Sequence, residues 1–447
     1  MAFKRKIYSV FSDWKRNWAG KRALLVQGAR RIGKSTIVEE FGKNEYKTYI
    51  LINFQTDLYK VEELFKNDIS DLDTFFRNLS LIYGTKLYER ESLIIFDEVQ
   101  LYPLARQSIK QLVADGRYDF IETGSLISLR QNVDKILIPS EEKSVNMYPM
   151  DFEEFLWAKG YKDEVINEML ECMVELRPLS KTMYDVMLEN FKEYMVIGGM
   201  PAIVSKFIEN KNYSGILKMQ QQILLDYEED ITKYAGGLDQ SKILTVYKNI
   251  PVFLGNENKK FQITKIQDGA RNREYIGVLN WLDRAGIVNI SYALDDVCLP
   301  LKGNYNPNNY RIYFGDTGLL IGSLDEEAQE DLRKNQNFNT YKGAVYENVV
   351  ADMLVKQGYN LYFYKSEKGT VEMDFFIRDI NSLVPIEVKA NDNRAVSLNN
   401  LIDSNKYKDI KYGIKLCNKN IGFNGKFYTF PYFMGFLLKR YMQQVKY

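Results

Sequence analysis

Apolar and polar positions follow two different rhythms along this chain, and the change between them marks its organisation. Residues 23–27 (ALLVQ), 48–54 (TYILINF) and 92–98 (SLIIFDE) are short runs rich in apolar residues, and 118–125 (YDFIETGS) reads as a fourth strand. Runs of this kind suit strands covered by helices on both faces. Between them, residues 36–41 read as a helix with Gly42 just past its end, and Asp71 reads as the N-cap of a helix that buries Phe75, Phe76, Leu79 and Ile82. Strands alternating with helices predict an α/β sandwich up to about residue 155. Residues 156–235 then keep a helical period, broken at Gly198-Gly199-Met200-Pro201. Residues 236–335 mix helices with short strands, and 336–447 read as a separate α/β unit of one helix, a hairpin and further strands.

The first apolar run leads into GARRIGKST, residues 28–36, which fits G-x-x-x-x-G-K-[ST] through Gly28, Gly33, Lys34 and Ser35. Glycine lets the backbone wrap closely around phosphate, and the N-terminus of the following helix attracts it. The loop backbone of Gly28, Ala29, Arg30, Arg31, Ile32, Gly33, Lys34, Ser35 and Thr36 would therefore cradle a nucleotide, with Lys34 on the β- and γ-phosphates and Ser35 on Mg²⁺. A chance match is expected roughly 0.02 times in such a chain. The run SLIIFDE ends in Asp97 and Glu98, which suit holding Mg²⁺ and polarising an attacking water. Thr123, closing the fourth strand, is placed to sense the γ-phosphate; a Thr-Gly-Ser turn has the same appearance. Arg30 and Arg31 face solvent or a partner, and Arg130 is one candidate for an arginine finger.

Composition narrows the chemistry. There is no histidine in 447 residues, which excludes an imidazole base and His-ligated metal. A net charge of +1 announces neither nucleic acid nor membrane. Cys172, Cys298 and Cys417 have no metal spacing. The basic start lacks the apolar stretch of a signal peptide, and no apolar run reaches membrane-spanning length, so a cytoplasmic protein without a membrane partner is expected.

Two further segments carry candidate chemistry. In residues 262–294 an apolar helical face at Ile276, Leu279 and Leu282 precedes a strand over 287–293, the pattern of a winged helix. Arg271, Arg273 and Glu274 stand at the helix start, where DNA readers place their contacts; internal packing explains the same pattern. In LVPIEVKAND (383–392), Glu387 and Lys389 share one face of a strand and Ile386 and Val388 the other. VEMDFFIRD (371–379) places Glu372 and Asp374 on one face. A hairpin centred between 380 and 381 sets Asp374 opposite Glu387, with Cβ atoms about 5 Å apart. Glu347, Asp374 and Glu387 could then share Mg²⁺, with Lys389 orienting the attacking water. The alternative is a hairpin with a solvated face and an Asp374–Lys389 ion pair.

GARRIGKS, FDEVQLYP, TGS at 123, YPMDFEEFL at 148, GGMPA at 198, YFGDTGLL at 313, GAVYENVVADML at 343, VEMDFF and PIEVKA together resemble a prokaryotic family of AAA+-type P-loop ATPases. These carry a C-terminal domain of unknown function with a restriction-endonuclease-like, PD-(D/E)xK fold. The resemblance implies an α/β multidomain chain: an ATPase core over 1–155, a helical lid over 156–235, a winged helix over 236–335 and a nuclease-like domain over 336–447. It implies ATP and Mg²⁺ as cofactors and supplies no substrate. We read the chain as an ATP-hydrolysing protein whose nuclease-like domain acts on DNA; the alternative is a nucleotide-dependent switch whose winged helix and C-terminal domain only bind DNA or a protein partner, and self-association is left open. Two positions depart from the family pattern. IPSEEKSV (138–145) stands where a Gly-Arg pair is common, and Met373 precedes Asp374 in place of proline.

Overall fold

The computed structural model describes residues 3–125, 139–235, 240–255, 261, 265, 274–334, 336, 341–366, 371–389 and 394–445. The chain divides into two compact units, Met1–Tyr148 with Arg284–Gly286, and Pro149–Asp283 with Ile287–Tyr447.

In the first unit, β1 (Ala23–Gly28), β2 (Thr48–Asn53), β3 (Ser92–Asp97), β4 (Asp119–Ser125) and β5 (Glu142–Asn146) form one sheet in the order β2-β3-β4-β1-β5. Every pairing in it is parallel. β3 and β4 are buried along their whole length, as central strands under two helical layers must be. The edge strand β5 escaped the sequence reading because EKSVN has no apolar run to signal it. Gly42 also differs from expectation. The helix runs Lys34–Glu45 and Gly42 lies inside it. A Cβ there would come within 3.3 Å of Leu93 and Tyr49 side chains, so close packing against the sheet explains the glycine. Asp71 caps the helix Leu72–Tyr83 as expected, accepting from the Asp73 and Thr74 N–H groups. Phe75, Phe76 and Leu79 are buried, but Ile82 is 41% exposed and belongs to the outer face.

The second unit begins with helices Phe152–Ala158, Asp163–Glu175, Lys181–Ile197, Pro201–Asn210, Ile216–Tyr234 and Gln240–Gly255. The break at Gly198-Gly199 has a steric cause. Gly198 has φ +75, and a Cβ there would lie 2.1 Å from Asp316 Oδ1. The Gly199 N–H donates to Asp316 Oδ2 at 2.6 Å, so the GGMP and GDTG motifs meet in one buried polar contact.

The helix Ile276–Arg284 buries Val278, Leu279 and Leu282 and leaves Ile276 at 43% exposure. β6 (Val288–Leu294) follows, paired antiparallel with β7 (Tyr305–Phe314). Glu274 is exposed, and Arg271 and Arg273 lie outside the described residues, as does Arg130. β6 pairs in parallel with β8 (Leu361–Lys365), which pairs with β9 (Glu372–Met373). One sheet therefore spans the boundary expected at 335/336. The remaining strands, β10 (Phe375–Arg378), β11 (Leu383–Val388), β12 (Gly413–Cys417), β13 (Gly422–Phe423) and β14 (Phe427–Pro431), form a five-stranded sheet in the order β10-β11-β12-β14-β13. The buried helix Tyr341–Lys356 packs beside it.

Candidate nucleotide site and carboxylate cluster

The loop after β1 is shaped by two left-handed residues, Arg31 at φ +64 and Gly33 at φ +89. Gly33 carries no steric cost there; Arg31 does. Gly28 is needed for a different reason, since a Cβ would lie 2.3 Å from the Met147 carbonyl oxygen. Ala29 and Ile32 point into the core, while Arg30, Arg31 and Thr36 are exposed. Lys34 and Ser35 open the helix, where unpaired N–H groups point outward.

Three segments far apart in sequence converge near this helix start. The Ser35 hydroxyl donates to Asp97 Oδ1 at 2.7 Å, and Asn53 Nδ2 donates to Asp97 Oδ2 at 2.9 Å. Thr123 Oγ1 donates to the same Asp97 oxygen that Ser35 contacts. Thr123 is fully buried and also accepts from the Glu98 N–H at 3.3 Å, so its hydroxyl positions the end of β3. Glu98 has φ +55, a costly conformation for a non-glycine residue. Its carboxylate accepts from Gln100 Nε2. Lys34 is buried, and its ammonium donates to the carbonyls of Gly28 at 3.2 Å and Ala29 at 2.7 Å. Burial pushes its pKa down to about 8, against the pull of Glu98 and Asp97.

The donor set fits Mg²⁺-nucleotide. Ser35 and Asp97 offer hard oxygen ligands side by side, and the loop and helix start offer N–H groups and one ammonium for phosphate. The ion neutralises phosphate charge when bound. Behind this surface, Glu122 on β4 is completely buried beside the bidentate Arg106–Glu142 pair, whose two contacts are both 2.8 Å. Burial, with Glu142 adding to it, raises Glu122 well above the usual carboxyl range.

In the second unit the hairpin register is as expected, Phe375↔Ile386 through Arg378↔Leu383. Asp374 falls one step beyond this ladder, in the bend between β9 and β10. Its Oδ2 accepts from the Val388 N–H at 2.8 Å. The charge of Lys389 interacts with Glu387, Asp374 and Glu347, so the four expected residues do come together.

Their surroundings differ from expectation in two respects. Glu387 is not on an exposed edge: it is 2% exposed, and Lys389 Nζ pairs with its Oε1 at 2.9 Å. The alternative Asp374–Lys389 ion pair is likewise replaced by this one. More importantly, a residue missed from the sequence enters the cluster. Arg311 of β7, 2% exposed, bonds Glu372 Oε1 through Nη2. Its Nη1 lies 3.8 Å from Asp374 Oδ1 and 4.0 Å from Glu347 Oε2. Phe363 packs on the guanidinium at 4.2 Å, and Lys365 Nζ holds the other Glu372 oxygen at 3.0 Å. The carboxylates expected to share an ion are matched with cations instead. Among the described residues no group of three or more His, Cys, Asp or Glu side chains is arranged to hold a metal ion. The available signal was a lone arginine in the apolar stretch YRIYF, the same kind of signal that drew attention to Glu387.

Among the described residues no helix is long and apolar enough to cross a membrane. Residues 20–156 match the family model of an AAA domain. Residues 188–330 and 342–433 match two domains of unknown function, DUF8612 and DUF4143. An uncharacterized protein of Methanocaldococcus jannaschii is 25% identical over 222 residues, covering 48% of this chain and 45% of that protein. This chain thus spans less than half the length of that relative. An uncharacterized protein of Haemophilus influenzae is 22% identical over 378 residues, 81% of each chain. Among solved structures, AMPPCP-bound DnaA from Aquifex aeolicus is similar with TM-score 0.29 and 13% identity, covering 64% of this chain and 88% of that one. Drosophila ORC bound to DNA is similar with TM-score 0.28 and 13% identity, covering 72% and 94%. With its phosphate loop, its parallel five-stranded sheet and its family match, the segment 20–156 is an AAA-type P-loop ATPase domain.

Proposed function

We propose that this protein binds ATP with Mg²⁺ at residues 28–36 and hydrolyses it. The observation that carries the reading is the 2.7 Å contact between Ser35 and Asp97, which joins the phosphate loop to the end of β3. In this arrangement Lys34 holds phosphate, Ser35 and Asp97 hold the ion, and Glu98 orients and polarises the attacking water. Thr123 positions Asp97 and Glu98. The test is steady-state phosphate release with Mg²⁺ by the parent and by Lys34→Ala. Unchanged nucleotide affinity in Lys34→Ala sinks the assignment.

The second part of the proposal is that residues 336–447 form a nuclease-like domain that acts on DNA, with the winged helix beside it. Its support is the meeting of Glu347, Asp374, Glu387 and Lys389. A second reading, a nucleotide-dependent switch whose winged helix and terminal domain only bind DNA or a protein partner, is favoured by Arg311. As arranged, the cluster does not fit Mg²⁺, because a guanidinium already serves its carboxylates. Plasmid DNA incubated with ATP, without ATP and with excess chelator separates the two. Chelator-sensitive nicking supports the nuclease reading, and intact plasmid under all three conditions supports the switch.

A further inference from the structure

The cluster around Arg311 is unusual in its hydrogen bonding as well as its charge. Arg311 is fully enclosed with the Tyr313 side chain beside it, yet among the described residues its Nε and Nη1 find no hydrogen-bond acceptor, and the buried Oε2 of Glu387 finds no donor. Unpaired polar atoms at such depth are costly and rare in a settled structural ion pair. The contacts of Nη1 with Asp374 and Glu347, at 3.8 and 4.0 Å, are too long for hydrogen bonds. They are electrostatic only.

Charge counting points the same way. Four carboxylates meet here: Glu347, Glu372, Asp374 and Glu387. Four cations face them: Arg311, Lys365, Lys389, and Lys415, whose charge acts on Glu387. Among the described residues the charges balance, and Arg311 repels a divalent ion directly. The elements carrying the two sides are different. The carboxylates come from the helix Tyr341–Lys356 and from the segments around β9 to β11, whereas Arg311 comes from β7, before the expected boundary. Among the described residues β7 ends its sheet, paired there with β6, and its Tyr310 carbonyl also accepts from the Phe261 N–H at 3.0 Å. Its second half is buried, from Tyr310 to Phe314, while Tyr305, Pro307 and Asn308 towards its start are exposed.

We propose that Arg311 is an internal counter-cation that closes the Glu347–Asp374–Glu387 cluster to divalent metal, and that removing its guanidinium turns the cluster into a divalent-cation site. This rests on reading the terminal domain as nuclease-like, but its test measures binding and needs no cleavage.

The test uses the full-length, nucleotide-free chain and Mn²⁺ as probe, followed by calorimetry and by electron paramagnetic resonance. The parent should bind no Mn²⁺ that depends on Asp374. Arg311→Gln should gain one Mn²⁺ per chain, at least about tenfold tighter than any parent site, and Arg311→Gln with Asp374→Asn should lose it. Arg311→Lys keeps the charge and should gain nothing. If Arg311→Gln does not fold, as read by its thermal melt, Arg311→Met takes its place. That change removes the guanidinium while keeping an unbranched stem against Phe363, and it should also gain Mn²⁺. A folded Arg311→Gln, or Arg311→Met in its stead, with no added Mn²⁺ overturns the proposal. So does a parent chain that already binds Mn²⁺ through Asp374, although the nuclease reading then survives. Added Mn²⁺ without DNA cleavage leaves the proposal standing and removes the nuclease reading.

Discussion

The depressed pKa of Lys34 makes nucleotide affinity depend on pH in a way an exposed lysine would not. Lys34 is 6% exposed, and burial pushes it down from 10.5 to about 8 even with Glu98 and Asp97 pulling upward. The sign follows from which form each state prefers. The nucleotide-free protein releases the Lys34 proton as pH rises through about 8. Phosphate oxygens hold the ammonium charged, so binding above that pH must take a proton back. Between pH 7.5 and 9 the charged fraction of free protein falls from about three quarters to about a tenth, for a pKa near 8. Affinity should therefore drop about eightfold, on the order of 1.2 kcal/mol. Calorimetry of Mg-ATP binding in two buffers of different ionisation enthalpy reads the proton directly. About 0.9 proton should be taken up at pH 9 and about 0.2 at pH 7.5. Lys34→Arg, which stays charged, should show neither the uptake nor the eightfold loss. Proton uptake near zero at pH 9 in the parent would refute the reasoning, because it would mean that burial does not weaken this ammonium.

Four other outcomes are expected. Glu98→Gln should keep Mg-ATP affinity within about twofold and lower phosphate release at least about a hundredfold; turnover at the parent rate would make Glu98 structural. Gly28→Ala should cost about 1–3 kcal/mol in denaturant unfolding and weaken nucleotide binding, since its Cβ cannot share space with the Met147 carbonyl. Glu122 keeps its proton in the folded state after the unfolded chain has lost it. Its contribution is complete below the ordinary carboxyl pKa and is lost as pH rises through the raised folded value. Glu122→Gln should therefore raise the Tm more at pH 8 than at pH 5, and an equal shift at both would contradict a protonated Glu122. Asp374→Asn should destabilise by about 1–2 kcal/mol, because the carboxylate accepts from Val388 and faces Arg311. A gain in stability would mean that repulsion from Glu387 dominates after all.

The P-loop unit of the molecule was legible because its information is local. A strand, a glycine turn and a helix must follow one another within about a dozen residues for phosphate to be held, so Gly28, Gly33, Lys34 and Ser35 announce themselves in one line of sequence. Asp97 and Glu98 were readable for a similar reason: charged residues at the end of an apolar strand are conspicuous. The hairpin register of β10 and β11 was also set locally, by the apolar face of Phe375, Ile377, Ile386 and Val388 and by the short turn. What the sequence could not say was which distant groups would share a space. Thr123 turned out to serve Asp97 and the Glu98 N–H, a choice made by the adjacency of β3 and β4. β5 was invisible because an edge strand of polar residues carries no apolar period. Gly42 was misplaced because close helix–sheet approach and helix termination both favour glycine. Asp374, Glu387 and Glu347 were found from their own segments, but whether they hold a metal or a guanidinium depended on Arg311, dozens of residues upstream. That depends on β6 and β7 pairing into one sheet with β8 and β9, and electrostatic balance in a buried cluster is a property of everything packed there.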